Sequence, residues 1–545
     1  MEVSVIGSSQ ATAICSSRSE LACKELRFYV PRRDNSVCFF DSSNTTRFRK
    51  SSLRFILNAV QTEPLRSDSS NNNPFGGRRV SSSSRSNLVD VVRLFVGLPL
   101  DAVSNCNTIN HGRAIAAGLK ALKLLGVEGV EMPVWWGVAE KEAMGKYDWS
   151  GYLALAEMVQ SAGLKLHVSL CFHASKQPKI PLPDWVSRIG ESEPGIFYTD
   201  RSGSHYRECL SLAVDDLPVL DGKSPIQVYK EFCESFKSSF SQFMDSTVTG
   251  ITVGLGPNGE LRYPSDHRSA RSSKILGVGE FQCYDNNMLN LLKKHAEATG
   301  DPLWGCGGPH DVPSYDQLPN SNNFFKDNGG SWESPYGNFF LSWYAGQLLT
   351  HGDRILSTAS AAFGETNVAI YGKIPLVHSW YKTRTHPAEL TAGFYNTVDR
   401  DGYDAIAEMF ARNSCKMILP GMDLLDEHQP QQSLSSPELL LAQIRTACRK
   451  HGVEVSGQNS LVSKTPDHFE RIKKNVSGEN VVDLFTYQRM GAEFFSPEHF
   501  PSFTNFVRRL NEQETLHADD LPEEEAAAAE SLQTSSESSI QMQAA

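Results

Sequence analysis

Eight short apolar runs, separated by stretches of helical periodicity, predict an α/β chain folded as a (β/α)8 TIM barrel over residues 89–512. The runs are VVRLFVGL (91–98), GVEMPVWW (129–136), LKLHVSLCF (164–172), TGITVG (249–254), VAIYGK (368–373), CKMIL (415–419), VEVS (453–456) and VVDLFTY (481–487). They are apolar on both faces, as buried parallel strands are. Periodicity alone suits a doubly wound open sheet nearly as well. The long connections after the third, fourth and sixth runs favour the barrel, whose loops grow at the C-terminal face.

The helices follow in order. In RAIAAGLKALKLLG, Ile115, Leu119 and Leu122 fall on one face and Gly126 marks the stop. Further helical patterns cover 151–162, 223–245, 281–298, 338–360, 436–450 and 502–511. The flanks differ in composition. Residues 1–60 are rich in Ser, Arg and Lys and poor in acids, without a continuous apolar stretch; this predicts a transit peptide of chloroplast type. Residues 61–88 predict a disordered Ser/Asn-rich linker, and residues 513–545 an acidic disordered tail.

A net charge of −11 on 545 residues argues against nucleic acid or an anionic membrane as partner. No run of about 18 apolar residues predicts a membrane span. Eleven cysteines lie without CxxC pairing or histidines at ligand spacing, so the expectation is reduced thiols, with no metal and no cofactor. GCGG (305–308) lacks a phosphate-loop pattern.

Two positions carry the candidate chemistry. Glu260 lies in GLGPNGELRYPS (254–265), a few residues past the fourth run, and Gln458 lies in GQNSL (457–461), just past the seventh. A barrel brings both to its C-terminal mouth. The glycines let backbone approach a ligand, and Arg262 and Tyr263 could orient it. A single loop glutamate is by itself most often a solvated surface residue; the surrounding pattern alters that reading.

VWWG (134–137), FH (172–173), IFYTDRSG (196–203), GLGPNGELRYPS, GVGEFQCYD (277–285), FFLSWY (339–344), AELTAGFYN (388–396) and DRDGY (399–403) resemble the plant β-amylases across roughly residues 90–510. The resemblance implies a (β/α)8 barrel that removes maltose from the non-reducing ends of α-1,4-glucans with inversion. Inversion uses two carboxyl groups about 6.5–9.5 Å apart, an acid and a base. Glu260 matches the family acid. Gln458 stands where the family has its base, and an amide cannot take a proton from water.

Other departures accompany it. Pro133 stands where the family has a sugar-gripping aspartate, and Pro420 where it has an inner-loop threonine. Ser379 replaces an aromatic, and ASKQPK (174–179) replaces a glycine-rich lid with its own aspartate. His173, Lys373, His378, Asn459 and Arg489 match sugar-contacting positions, with Ser460 beside them. They could equally persist as buried ties between loops. Trp135, Trp136, Trp343, Tyr344 and Trp380 could stack on sugar rings but are expected mainly as core.

The expectation is a catalytically inactive relative, a pseudoenzyme of plastid starch metabolism in the stroma. Its partner would be another starch-degrading hydrolase, such as an α- or β-amylase, with an α-glucan as a second candidate. The alternative is a weakly active exo-acting α-1,4-glucan maltohydrolase, with Asp423 or Asp426 replacing the base. A DNA-binding regulator is disfavoured, because residues 1–88 lack an amphipathic basic helix.

Overall fold

The computed structural model describes residues 92–269, 276–460 and 466–510. The transit peptide, the linker and the acidic tail predicted above lie outside the described residues. Eight parallel strands close into a barrel: β1 (Arg93–Gly97), β2 (Gly129–Trp135), β3 (Lys165–Cys171), β6 (Val248–Val253), β7 (Ala369–Lys373), β8 (Lys416–Leu419), β9 (Val455–Gln458) and β10 (Leu484–Tyr487). Each pairs with its sequential neighbour, and β10 returns to β1 with Arg93 opposite Leu484. The open-sheet alternative is thereby excluded. Two further strands, β4 (Phe197–Thr199) and β5 (His205–Leu210), form an antiparallel hairpin in the connection after β3.

All eight predicted runs coincide with barrel strands. The seventh sits two residues later than expected, because β9 extends through Gly457 and Gln458. Large side chains on one strand face glycines on the next. Phe95 stands beside Gly129, where a Cβ would overlap its ring, and His167 and Tyr371 close over Gly250. The rings of Phe95 and His167, and of His167 and Tyr371, meet edge to face at 6.4 and 4.7 Å.

The helices form the outer ring. Gly112–Leu125 buries Ile115, Leu119 and Leu122 and ends at Gly126, whose positive φ lets its N–H reach back to the last carbonyls. Pro225–Ser239 begins with a reciprocal box between Ser224 and Gln227. Pro335–Phe363 is longer than predicted at both ends, while the pattern over 281–298 becomes helix only from Asn286, after the Asp285 cap. Asp184–Ser192, Asp404–Arg412 and Pro466–Val476 are helices the periodicity did not predict. Among the described residues no helix is long and apolar enough to cross a membrane.

Candidate functional site at the barrel mouth

The C-terminal ends of the strands surround a cavity of about 300 Å³. That is the low end of the range for small-ligand sites. Pro133 on β2, His173 after β3, Lys373 on β7, Gln458 and Asn459 at the end of β9, Ser460, and Arg489 after β10 all line it. Glu260 reaches the group through Lys373: its Oε1 is 3.3 Å from Lys373 Nζ, and Arg262 is 3.9 Å from its other oxygen. The backbone holds it there, since the Leu261 N–H donates to the Lys373 carbonyl at 2.9 Å.

Gln458 is buried, and its carbonyl accepts from the Met422 N–H at 3.0 Å. Its side-chain amide makes no hydrogen bond among the described residues. Asn459 bonds both ways to the Gln488 backbone, donating at 3.0 Å and accepting at 2.6 Å. Arg489 donates to the Leu98 carbonyl at 2.6 Å. His173 is buried, with its Nδ1 unpartnered among the described residues. Its pKa is pushed down to about 3 by burial and then by the Lys373 charge, so the ring is neutral.

Not every predicted residue joins the cavity. His378 turns to the Ser435 hydroxyl at 2.5 Å, and neither it nor Pro420 lines the mouth. Asp423 accepts from the Ser460 N–H and hydroxyl, at 2.6 and 2.9 Å. Asp426 accepts from Ser436 and pairs with Lys382. Neither aspartate lines the cavity, and Asp423 touches it only through Ser460. The five aromatics singled out by sequence are all buried, and Trp135 alone of them also lines the mouth. The 174–179 segment is a tight turn. Ser175 and Ile180 exchange backbone hydrogen bonds at 2.8 and 2.9 Å, and the Ala174 N–H donates to the Glu208 carbonyl at 2.6 Å. Lys176 adds an ion pair to Glu208.

One residue was missed by sequence reasoning. Glu131 lies two positions before Pro133 and lines the cavity on the same face of β2. It accepts from the Ser169 hydroxyl at 2.6 Å and from the Gln488 amide. Burial works to raise its pKa, but Arg489, Ser169, His167 and Gln488 outweigh that and hold it below the ordinary carboxylate range. The available signal was an acid inside the otherwise apolar run GVEMPVWW.

The sequence profile described as "Glycosyl hydrolase family 14" matches residues 95–515. The chain belongs to glycosyl hydrolase family 14. Among family-14 relatives it is 58% identical to "Inactive beta-amylase 9" of Arabidopsis thaliana, covering 97% of each chain. It is 42% identical to "Beta-amylase 1, chloroplastic" of the same plant, covering 78% of this chain and 76% of the relative. It is 36% identical to "Inactive beta-amylase 4, chloroplastic", also of Arabidopsis thaliana, covering 77% and 82%. The catalytic domain of a β-amylase from Paenibacillus polymyxa shares the fold, with a TM-score of 0.64 at 24% identity over 78% of this chain and 100% of that one. The family-14 barrel is thus present, with an amide at position 458 of its mouth.

Proposed function

We propose that this chain is a non-hydrolytic family-14 protein of plastid starch metabolism that acts by contact with another starch-degrading hydrolase and holds α-glucan only weakly. The observation that carries the reading is Gln458. It stands in the same cavity as His173, Lys373, Asn459 and Arg489, with Glu260 bound to Lys373. An acid without a partner base protonates a leaving oxygen but does not activate water, and one lost general base costs about 10²–10⁴ in rate. Pro133 further removes a charged acceptor for sugar hydroxyls. A relative 58% identical and named inactive supports the reading. Relatives named chloroplastic, together with the basic, Ser-rich first 60 residues, support the plastid stroma as its location.

The test pairs two measurements on purified mature protein: maltose release from soluble starch, and capture of starch-degrading hydrolases from plastid extract. Maltose at background with a hydrolase captured is the expected result. Glu260-dependent maltose release would overturn it. One observation favours a second reading, weak hydrolysis: Glu131 supplies an ionised carboxylate to the cavity. Residual activity abolished by Glu131→Gln would establish that reading instead.

A further inference from the structure

A second cavity, of about 500 Å³, opens at the opposite end of the barrel, where the chain enters β1, β9 and β10. Arg445, on the helix Pro437–His451, lines it and is only 6% exposed. Its Nη atoms donate to the Asn475 and Asn480 carbonyls, and Nη2 lies 3.3 Å from Met422 Sδ. Its Nε is buried without a partner among the described residues. No carboxylate pairs with Arg445 among the described residues. Burying a guanidinium without a counter-charge is unfavourable unless something compensates it. Backbone carbonyls supply only part of that compensation.

The neighbours deepen the deficit. Arg449 lies one turn along the same helix, lines the same cavity, and has the Thr446 hydroxyl at 3.3 Å. Burial first, then Arg449 and Arg471, push the Arg445 pKa down to about 10, so the group stays charged at neutral pH. The other charges around the cavity are mostly engaged. Arg93 pairs with Glu128 at 2.9 Å, and Glu454 and Asp483 both pair with Lys416. Glu479 is exposed at the rim.

We propose that this cavity is an oxyanion site, in which Arg445 and Arg449 together hold a phosphate group. The planar guanidinium fork matches phosphate oxygens, and a dianion would supply the missing counter-charge. The phosphate could be inorganic or the ester group of a sugar phosphate. The site is independent of the reading of the barrel mouth and stands or falls without it.

The test is titration calorimetry of the full chain with inorganic phosphate and with a hexose monophosphate, against sodium chloride at matched ionic strength. Saturable phosphate binding is expected. Arg449→Ala should weaken it at least tenfold, and Glu479→Gln should tighten it by removing a repelling charge. Both changes are at exposed positions, so folding does not confound them; Arg445→Met is a third variant, to be checked first by circular dichroism. Tighter binding of the hexose phosphate would assign the ester as ligand, and equal binding would assign free phosphate. Heats no larger than those of chloride, or unchanged affinity in Arg449→Ala, would overturn the proposal.

Discussion

At the scale of single residues, the decisive atom is the side-chain nitrogen of Gln458. Replacing it with oxygen through Gln458→Glu would supply a possible base but not the aspartate that the family resemblance implies at position 133. It would also place a new carboxylate in the cavity that already holds Glu131. Groups that act as one catalytic unit do not contribute additively. Gln458→Glu alone should therefore leave maltose release far below that of an active β-amylase; full recovery would show that position 133 matters little. A second expectation concerns acid stability. His173 and His167 have pKa values pushed down to about 3 and about 4, against roughly 6.5 in an unfolded chain. Between pH 6.5 and those values the unfolded state binds more protons, so stability falls as pH drops. At pH 5 each histidine should remove about 2 kcal/mol relative to pH 7. Denaturant midpoints for His173→Asn should show a shallower loss over that window; an unchanged slope would mean that the ring is protonated in the fold.

Elements show where sequence reasoning succeeded and where it could not. All eight barrel strands were legible, because burial leaves most of them a largely apolar run bounded by helical stretches. The hairpin β4–β5 was not, since a three-residue strand is too short to display alternation. The helix Asp404–Arg412 spans barely two and a half turns, too few for a period to stand out. At the site, Lys373, His173 and Arg489 converge as expected. His378 and Pro420 do not line the cavity, and His378 bonds Ser435 instead. Glu131 escaped notice because one acid does not disturb an apolar pattern. Within β2, Gly129 is the point least tolerant of change, since an added Cβ would meet both the Phe95 ring and the Lys165 carbonyl. Gly129→Ala should cost about 1–3 kcal/mol by overpacking, measurable as a lower urea midpoint. A neutral result would mean that Phe95 has room to turn aside.

The whole molecule depends on closure by its last strand. β10 pairs with β9 on one side and β1 on the other, and Phe485 and Tyr487 are fully buried. The helix Phe500–Leu510 covers it, with Phe506 against Phe485 and Phe503 against Tyr487. A chain truncated after residue 480 should therefore fail to reach a soluble barrel, whereas removal of residues 513–545 should leave the unfolding midpoint unchanged. A soluble, cooperative truncation at 480 would mean that seven strands close without the eighth. Targeting also belongs to this scale. A reporter fused behind residues 1–90 should enter the stroma of isolated chloroplasts, and retention outside would remove the plastid from the proposed function.

The bond from the Leu261 N–H to the Lys373 carbonyl has a kinetic consequence. It adds one rung between the last residue of the fifth barrel strand and the segment that follows the fourth. An amide held by such a rung exchanges its hydrogen with solvent only when the rung opens. Deuterium uptake at Leu261 should thus be as slow as in β6 and β7, and slower than in the exposed turns nearby. Glu260 is then carried on a wall of the barrel whose opening requires the barrel itself to open.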